Sequence, residues 1–324
     1  MINHADNTAI EAEIQRRLEK LSALYVKTND IVGALESIQT LRTYGYRGLR
    51  KEAYCYFVGG PSSTGKGRLF STYCNRPDAA RNGEFMPVVR FSVPPALKNV
   101  TEFEGALLRA LGTMPFAGSH TKAVMEDRIV HLLEAKRVEV ILIDEVNHFV
   151  DKKLGNLAYW GADVIKTVIL DRAKVPVIMN GIEVADQLFL RNPQLMSRRK
   201  GVLRLFAFEW NIALERAQFQ EAIKLFEMAA RFPKKYGLAE SGLSERIHRA
   251  TGGVIGNLCR LVETCVEMGI KQGKDGIDQD LLAVAHASLA DGGRGWTNVF
   301  SVAVLPPFLA PDESRTTKLH KKVA

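Results

Sequence analysis

Four cysteines are few for 324 residues, and no two of them (Cys55, Cys74, Cys259, Cys265) form a CxxC pair. That excludes a disulfide-stapled secreted scaffold and reads as reduced, mostly buried thiols of a cytosolic chain. No stretch approaches the roughly eighteen uninterrupted apolar residues that crossing a bilayer takes, so no membrane partner is expected. The opening Met1-Ile2-Asn3-His4-Ala5-Asp6 lacks the basic and apolar segments of a secretory leader, and the expected location is cytoplasmic. Internal repeats and low-complexity tracts are absent as well, which excludes a repeat architecture. Acidic residues are the scarcer charge. Against 44 Lys and Arg stand 36 Asp and Glu, a net charge of +8 and a pI near 9.3, which favours a polyanionic partner.

What is present is ordinary in bulk. Apolar residues make up 46% and charged residues 25%, as in a soluble globular protein. The length suits one large domain and a smaller one. The informative segment is Gly60-Pro61-Ser62-Ser63-Thr64-Gly65-Lys66-Gly67, followed by Arg68 and preceded by the apolar run Ala53-Tyr54-Cys55-Tyr56-Phe57-Val58. A buried strand running into such a loop is the Walker A arrangement. Gly60 and Gly65 let the backbone fold back so that its N–H groups point at phosphates, and the next helix opens with its positive end facing them. Lys66 reaches the β- and γ-phosphates as a mobile point charge. One position departs from the pattern: Gly67 stands where Ser or Thr ordinarily holds Mg²⁺. Water, Ser63 or Thr64 are the substitutes at hand, and slow hydrolysis is the expectation.

About eighty residues later Val138-Glu139-Val140-Ile141-Leu142-Ile143-Asp144-Glu145 reads as a second buried strand ending in two carboxylates. This is Walker B chemistry. Asp144 is placed to hold Mg²⁺, usually through water, and Glu145 to orient and deprotonate the attacking water.

Helical spacing of Ile10, Ile14, Leu18 and Leu21, then of Ile31, Leu35, Ile38 and Leu41, predicts a helical arm over 1–50. From 51 to 208 strands and helices alternate, which predicts a parallel sheet between helices. The strands are expected at 86–93, 138–145, 175–181 and 202–208. Helices are expected at 101–114, where Thr101 and Glu104 are spaced as a capping box, and at 121–136 and 157–173. Residues 209–290 carry only helical periodicity, in four segments broken at Pro233, Gly237, Gly252-Gly253 and Gly273. The rest, 291–324, is an extended tail with a basic end. Its Trp296, Phe300 and Phe308 fit either a peptide docking on a partner or a segment packed back on the helices.

Together these features resemble an AAA+ ATPase: an α/β P-loop core with a C-terminal helical lid. Asn180, ending the 175–181 strand, resembles the sensor-1 residue. Gln194-Leu195-Met196-Ser197-Arg198-Arg199 resembles the arginine-finger segment, with Arg198 and Arg199 both candidates. Thr251-Gly252-Gly253-Val254-Ile255-Gly256-Asn257-Leu258-Cys259-Arg260 resembles the sensor-2 helix, with Arg260 as its cation. The helical arm, Asp144-Glu145-Val146-Asn147-His148-Phe149 and the Thr-Gly-Gly-x-Ile-Gly element are most similar to the TniB/TnsC/MuB group of transposition regulators, over roughly residues 10–290. The resemblance implies ATP and Mg²⁺ as cofactors, assembly of copies into a ring or filament on double-stranded DNA without sequence preference, and a link between a target-selection protein and a transposase. Lys98, Lys122, Lys152 and Lys153 are the candidate DNA contacts, and Asn147 and His148 a candidate relay. Two alternatives stay open: an ATP-locked DNA scaffold that does not turn over, and a replication initiator or helicase loader, for the first of which the residues after 290 leave little room.

Overall fold

The computed structural model describes residues 4–46, 52–95, 97–114, 121–150, 157–290 and 297–308. In chain order its helices are α1 (His4–Ala23), α2 (Asn29–Tyr46), α3 (Lys66–Cys74), α4 (Val100–Ala110), α5 (Lys122–Ala135), α6 (Leu157–Val164), α7 (Gln187–Leu190), α8 (Pro193–Arg198), α9 (Ala213–Ala229), α10 (Ser241–Thr251), α11 (Ile255–Lys271) and α12 (Gln279–Leu289). The strands are β1 (Cys55–Gly59), β2 (Val88–Ser92), β3 (Val140–Asp144), β4 (Val177–Gly181) and β5 (Arg199–Arg204). The chain divides into two compact units, one of Lys27–Leu205 and one of Met1–Val26 with Phe206–Ala324. None of the described helices is long and apolar enough to cross a membrane.

The first unit is built on the expected parallel sheet, in the order β2-β3-β4-β1-β5. Every residue of β3 and β4 is buried. Successive strand residues face opposite sides, so these two strands are covered on both faces, which is why they read as continuous apolar runs. Phe103 anchors the core beside β2 and β3, its ring 5.5 Å from Phe91 and 5.0 Å from Phe149. The expected arm over 1–50 is not one element. Its second helix, α2, belongs to this unit: buried Arg42 donates to Glu139 (2.6 Å) and Asp78 (3.0 Å), and Gln39 accepts from the Tyr73 hydroxyl (2.7 Å).

Two further expectations are corrected here. The last strand begins at Arg199 and ends at Arg204, not at 202–208, because its register is set by pairing along β1. The helix expected over 157–173 continues beyond α6 as a π-helix, Ile165–Arg172, with bonds such as Ala173 N–H to Val168 O (3.0 Å). The wider turn buries Ile165, Val168, Ile169 and Leu170 together.

The second unit has its own core. Phe219, Ile223 and Phe226 of α9, Leu258, Leu261 and Cys265 of α11, and Leu281 and Leu282 of α12 meet there, and Leu21 of α1 joins them. That apolar contact is why α1 parts from α2. Buried Glu227 accepts from the N–H groups of Tyr236 (2.9 Å) and Leu238 (3.4 Å), so the carboxylate organises the connection after α9. Of the tail, residues 297–308 pack back: Phe300 is buried in this core, and Arg246 donates to Val302 O (2.9 Å). Trp296 and the basic end lie outside the described residues.

The capping box expected from Thr101 and Glu104 is formed two residues earlier. Asn99 accepts from Glu102 N–H (3.0 Å) and Glu102 accepts from Lys98 N–H (2.9 Å). Glu104 instead faces the core, fully buried, and among the described residues neither of its oxygens has a hydrogen-bond partner. Burial, reinforced by Glu126 and opposed by Lys122, pushes its pKa from the ordinary 4.5 up to about 7. Below about pH 4.5 the group is protonated folded or unfolded, and stability is unaffected. Between there and pH 7 the unfolded chain loses the proton while the native chain keeps it, so stability falls as pH rises. The loss is complete above pH 7 and is roughly 3 kcal/mol. Glu104→Gln is therefore expected to flatten this part of the profile and to stabilise the protein at pH 8, as urea unfolding at pH 5 and pH 8 would measure.

Candidate nucleotide site

Strands β3, β4 and β1 are adjacent and run the same way, so the residues that follow them gather at one edge of the sheet. In open α/β sheets this carboxyl edge is where ligands bind. The segment after β1 shows how the sequence shapes the site. Gly59 O accepts from Leu205 N–H (2.9 Å), drawing the loop against the end of β5. A Cβ on Gly60, whose φ is +152°, would lie 2.1 Å from Leu205 O, so this position admits no side chain. Gly65, at φ +94°, precedes α3 in the left-handed region. A Cβ there would meet nothing within 4 Å, which marks open space over the loop.

Lys66 is buried and curls the loop around its ammonium, which donates to Gly60 O (2.8 Å) and Pro61 O (2.6 Å). The Thr64 hydroxyl donates to Pro61 O as well (2.9 Å). Pro61, Ser62 and Ser63 are exposed, and Arg68 is half-buried on α3. The first bond within α3 runs from Leu69 N–H to Gly65 O (2.8 Å), leaving the amides before it to an outside acceptor. An open loop, a helix start and an ammonium are the groups that phosphates need, and the residues fit a nucleotide triphosphate. Burial lowers the Lys66 pKa, while Glu145 and Asp144 act to raise it.

The carboxylates converge from β3. Asp144 closes the strand at 6% exposure, and Glu145 follows it in the left-handed region (φ 55°, ψ 42°) with its side chain exposed. The Glu145 N–H is shared between Asp144 Oδ1 (3.1 Å) and Asn180 Oδ1 (3.3 Å). Asn180, fully buried at the end of β4, thus steadies the strained turn that presents Glu145. Its Nδ2 has no hydrogen-bond partner among the described residues. Asn147 also buries a side-chain oxygen without one, and His148 donates its N–H to Glu145 O (3.1 Å). Sequence reasoning brought Lys66, Asp144, Glu145 and Asn180 to one place, and the structure places them at one edge.

It missed Arg90, in the middle of β2. This guanidinium donates to Asp144 Oδ2 (2.9 Å), Gly67 O (3.2 Å) and Ser71 Oγ (2.6 Å). The available signal was alternation: Val89 and Phe91 are buried on one face of β2, and Arg90 lies on the other, toward α3. Its presence bears on the expectation that Asp144 holds Mg²⁺. Position 67 lacks the hydroxyl ligand, Asp144 Oδ2 is taken by a guanidinium, and Oδ1 accepts from Glu145 N–H. These residues do not fit a resident Mg²⁺ ion.

Arg198 and Arg199 lie apart from these residues. Arg199 pairs with Cys55 at the start of β1, and the loop begins after Gly59, roughly 13 Å along the strand. Arg198 is held by Glu52 (2.7 Å) and Asp171 (3.0 Å), which raise its pKa against the lowering effect of burial. Arg199 pairs with Asp186 (3.1 Å) over the Phe189 ring. Arg260 is exposed on α11 of the second unit. Lys98 is exposed, and Lys122, half-exposed, pairs with Glu126 (3.4 Å) and Asp163 (3.9 Å). Lys152 and Lys153 lie outside the described residues.

The family model for bacterial TniB proteins matches residues 17–209. No curated protein matches the sequence. Among solved structures, the ORC2 protein of Aeropyrum pernix, in ADPNP–ADP complexes, is similar at 16% identity and a TM-score of 0.59, over 83% of this chain and 69% of that one. Cdc6p of Pyrobaculum aerophilum is similar at 13% identity and a TM-score of 0.58, over 85% and 71%. The ORC1 protein of Aeropyrum pernix, in complex with DNA, is similar at 15% and 0.56, over 85% and 69%. The shared architecture is the AAA+ P-loop fold.

Gly60 and Gly65 differ in a way that can be measured. Gly60→Ala forces a carbonyl and a methyl together and is expected to destabilise by roughly 3 kcal/mol or more. Gly65→Ala meets only the cost of left-handed backbone, about 1–2 kcal/mol. Urea unfolding midpoints of the two variants should fall in that order.

Proposed function

The chain belongs to the family of bacterial TniB proteins, and from that premise we propose that it is an ATP-dependent regulator of DNA transposition. In this reading it assembles as a ring or filament on double-stranded DNA and connects a target-selection protein to a transposase. Slow ATP hydrolysis then releases it. The observation that carries the reading is the gathering of Lys66, Glu145 and Asn180 at the carboxyl ends of three adjacent strands. Lys66 and the amides of the loop hold the phosphates. Glu145 takes a proton from water as its oxygen attacks the γ-phosphorus, and the bond to ADP breaks in line. Asn180 positions that water and keeps Glu145 in its turn.

Arg198 or Arg199 supplies a guanidinium to a neighbouring copy's γ-phosphate. Their distance from the loop of their own chain supports action on a neighbour, although each must first leave its carboxylate partner. Arg260 is the proposed sensor-2 cation. The surplus of eight positive charges supports contact with the DNA backbone, where phosphate pairing is blind to sequence and weakened by salt. Lys98 and Lys122, with Lys152 and Lys153, are the proposed contacts. Lys98 is the more readily committed, since Lys122 already has carboxylate partners.

The test is purified protein on a duplex of arbitrary sequence, imaged and assayed for phosphate release with ATP, ADP and a non-hydrolysable analogue. Assemblies are expected with ATP and the analogue but not with ADP, with affinity falling steeply as salt is raised. Equal affinity with and without nucleotide would overturn the reading. Assembly without phosphate release would turn it into an ATP-locked scaffold. Glu145→Gln is expected to bind ATP normally and assemble, while phosphate release drops by roughly 10²-fold or more and the assemblies persist after free ATP is withdrawn.

A further inference from the structure

We propose that Arg90 is the resident cation of this nucleotide site, standing where a P-loop enzyme ordinarily keeps its divalent ion, so that the chain takes up ATP without a requirement for Mg²⁺. The proposal rests on reading residues 60–67 as a phosphate loop. It begins from two departures that meet at one point. Position 67 has lost its hydroxyl, and a Cβ built there would lie 3.7 Å from Asp144 Oδ2 and 3.9 Å from Arg90 Nη2. A serine side chain would reach toward the same carboxylate oxygen that the guanidinium now occupies. The missing ligand and the added cation are thus two halves of one exchange.

The guanidinium is held, not merely present. Nη2 bridges Asp144 Oδ2 (2.9 Å) and Gly67 O (3.2 Å), Nη1 donates to Ser71 Oγ (2.6 Å), and the group lies over the Phe70 ring at 5.9 Å. One residue therefore spans β2, the end of β3 and the first turns of α3. A guanidinium carries five N–H donors, and these contacts use three. The remaining two, one on Nη1 and one on Nε, point from different edges of the group, so a phosphate oxygen would take a single bond and the cation's charge, not a two-pronged fork.

Charge balance points the same way. Lys66 and Arg90 supply two positive charges against the two carboxylates of Asp144 and Glu145. A dication on Asp144 would stand beside a guanidinium already bonded to that side chain, like charge against like charge. A guanidinium is weakly hydrated and gives up water more readily than Mg²⁺, which keeps its waters tenaciously.

The test is equilibrium binding of a fluorescent ATP analogue to the full chain, in EDTA and in Mg²⁺. For the wild type the two affinities are expected to agree within about threefold. Arg90→Met is expected to weaken binding in EDTA by roughly tenfold or more, with Mg²⁺ restoring much of it, and Arg90→Lys to fall between. Thermal unfolding of each variant separates lost folding from lost binding. The wild-type comparison needs no variant at all. Wild-type binding that is tenfold or more weaker in EDTA would overturn the proposal and leave the nucleotide site standing. A folded Arg90→Met protein that binds like the wild type in EDTA would overturn it too. No binding in either buffer would overturn both this proposal and the reading of the loop.

Discussion

A carboxylate placed at the end of a strand buried on both faces constrains everything around it. Asp144 ends β3, in which all five residues are buried, and it retains only 6% exposure. An ionised group in that setting is tolerated only when paired and hydrogen-bonded. Arg90 neutralises one oxygen and the Glu145 N–H bonds the other. Through these two contacts the charge of one side chain sets the position of several others. The guanidinium ties β2 to the start of α3, and the Glu145 amide is shared with Asn180 at the end of β4. The phosphate loop, the left-handed turn at Glu145 and the buried amide of Asn180 form one connected arrangement.

The helical unit solves a different problem, since it has no sheet to pack upon. Its core is closed by the first helix of the chain and by residues near its end. Leu21 arrives from one side of the sequence and Phe300 from the other. Two of its polar side chains meet backbone: His248 Nε2 lies 2.6 Å from Phe208 O, and Asn257 donates to Thr251 O (3.0 Å). The Thr-Gly-Gly element is structural as well as recognisable. Phe208 N–H donates to Gly253 O (2.9 Å) at the entry to this unit.

Much of this was legible beforehand, for identifiable reasons. Strands covered on both faces leave unbroken apolar runs, and a phosphate loop needs glycines and a lysine at set spacings, so β1, β3 and β4 and their terminal residues stood out. The misreadings came where two patterns share residues. Thr101 and Glu104 have capping-box spacing, but so do Asn99 and Glu102, and burial of Glu104 in the core decides for the second pair. The helices α1 and α2 carry the same periodicity and read as one arm, because periodicity shows that a face is apolar without showing what covers it. Arg90 escaped notice because one charged residue in a short strand is common, and its partners stand 19 to 54 residues away.

By itself the sequence determined the fold class, the phosphate loop, the carboxylate pair and the absence of a hydroxyl at position 67. These are local matters, written in neighbouring residues and fixed by backbone chemistry. Only the tertiary structure decided what occupies the place of that hydroxyl, which unit each N-terminal helix joins, and which acidic side chain stays buried without a partner. The first depends on groups brought together by the parallel pairing of β2, β3, β4 and β1, whose order in space differs from their order in the chain, and the others on apolar packing between segments far apart in the sequence. Ion pairs and burial act over a few ångströms, and only the folded chain brings such groups that close.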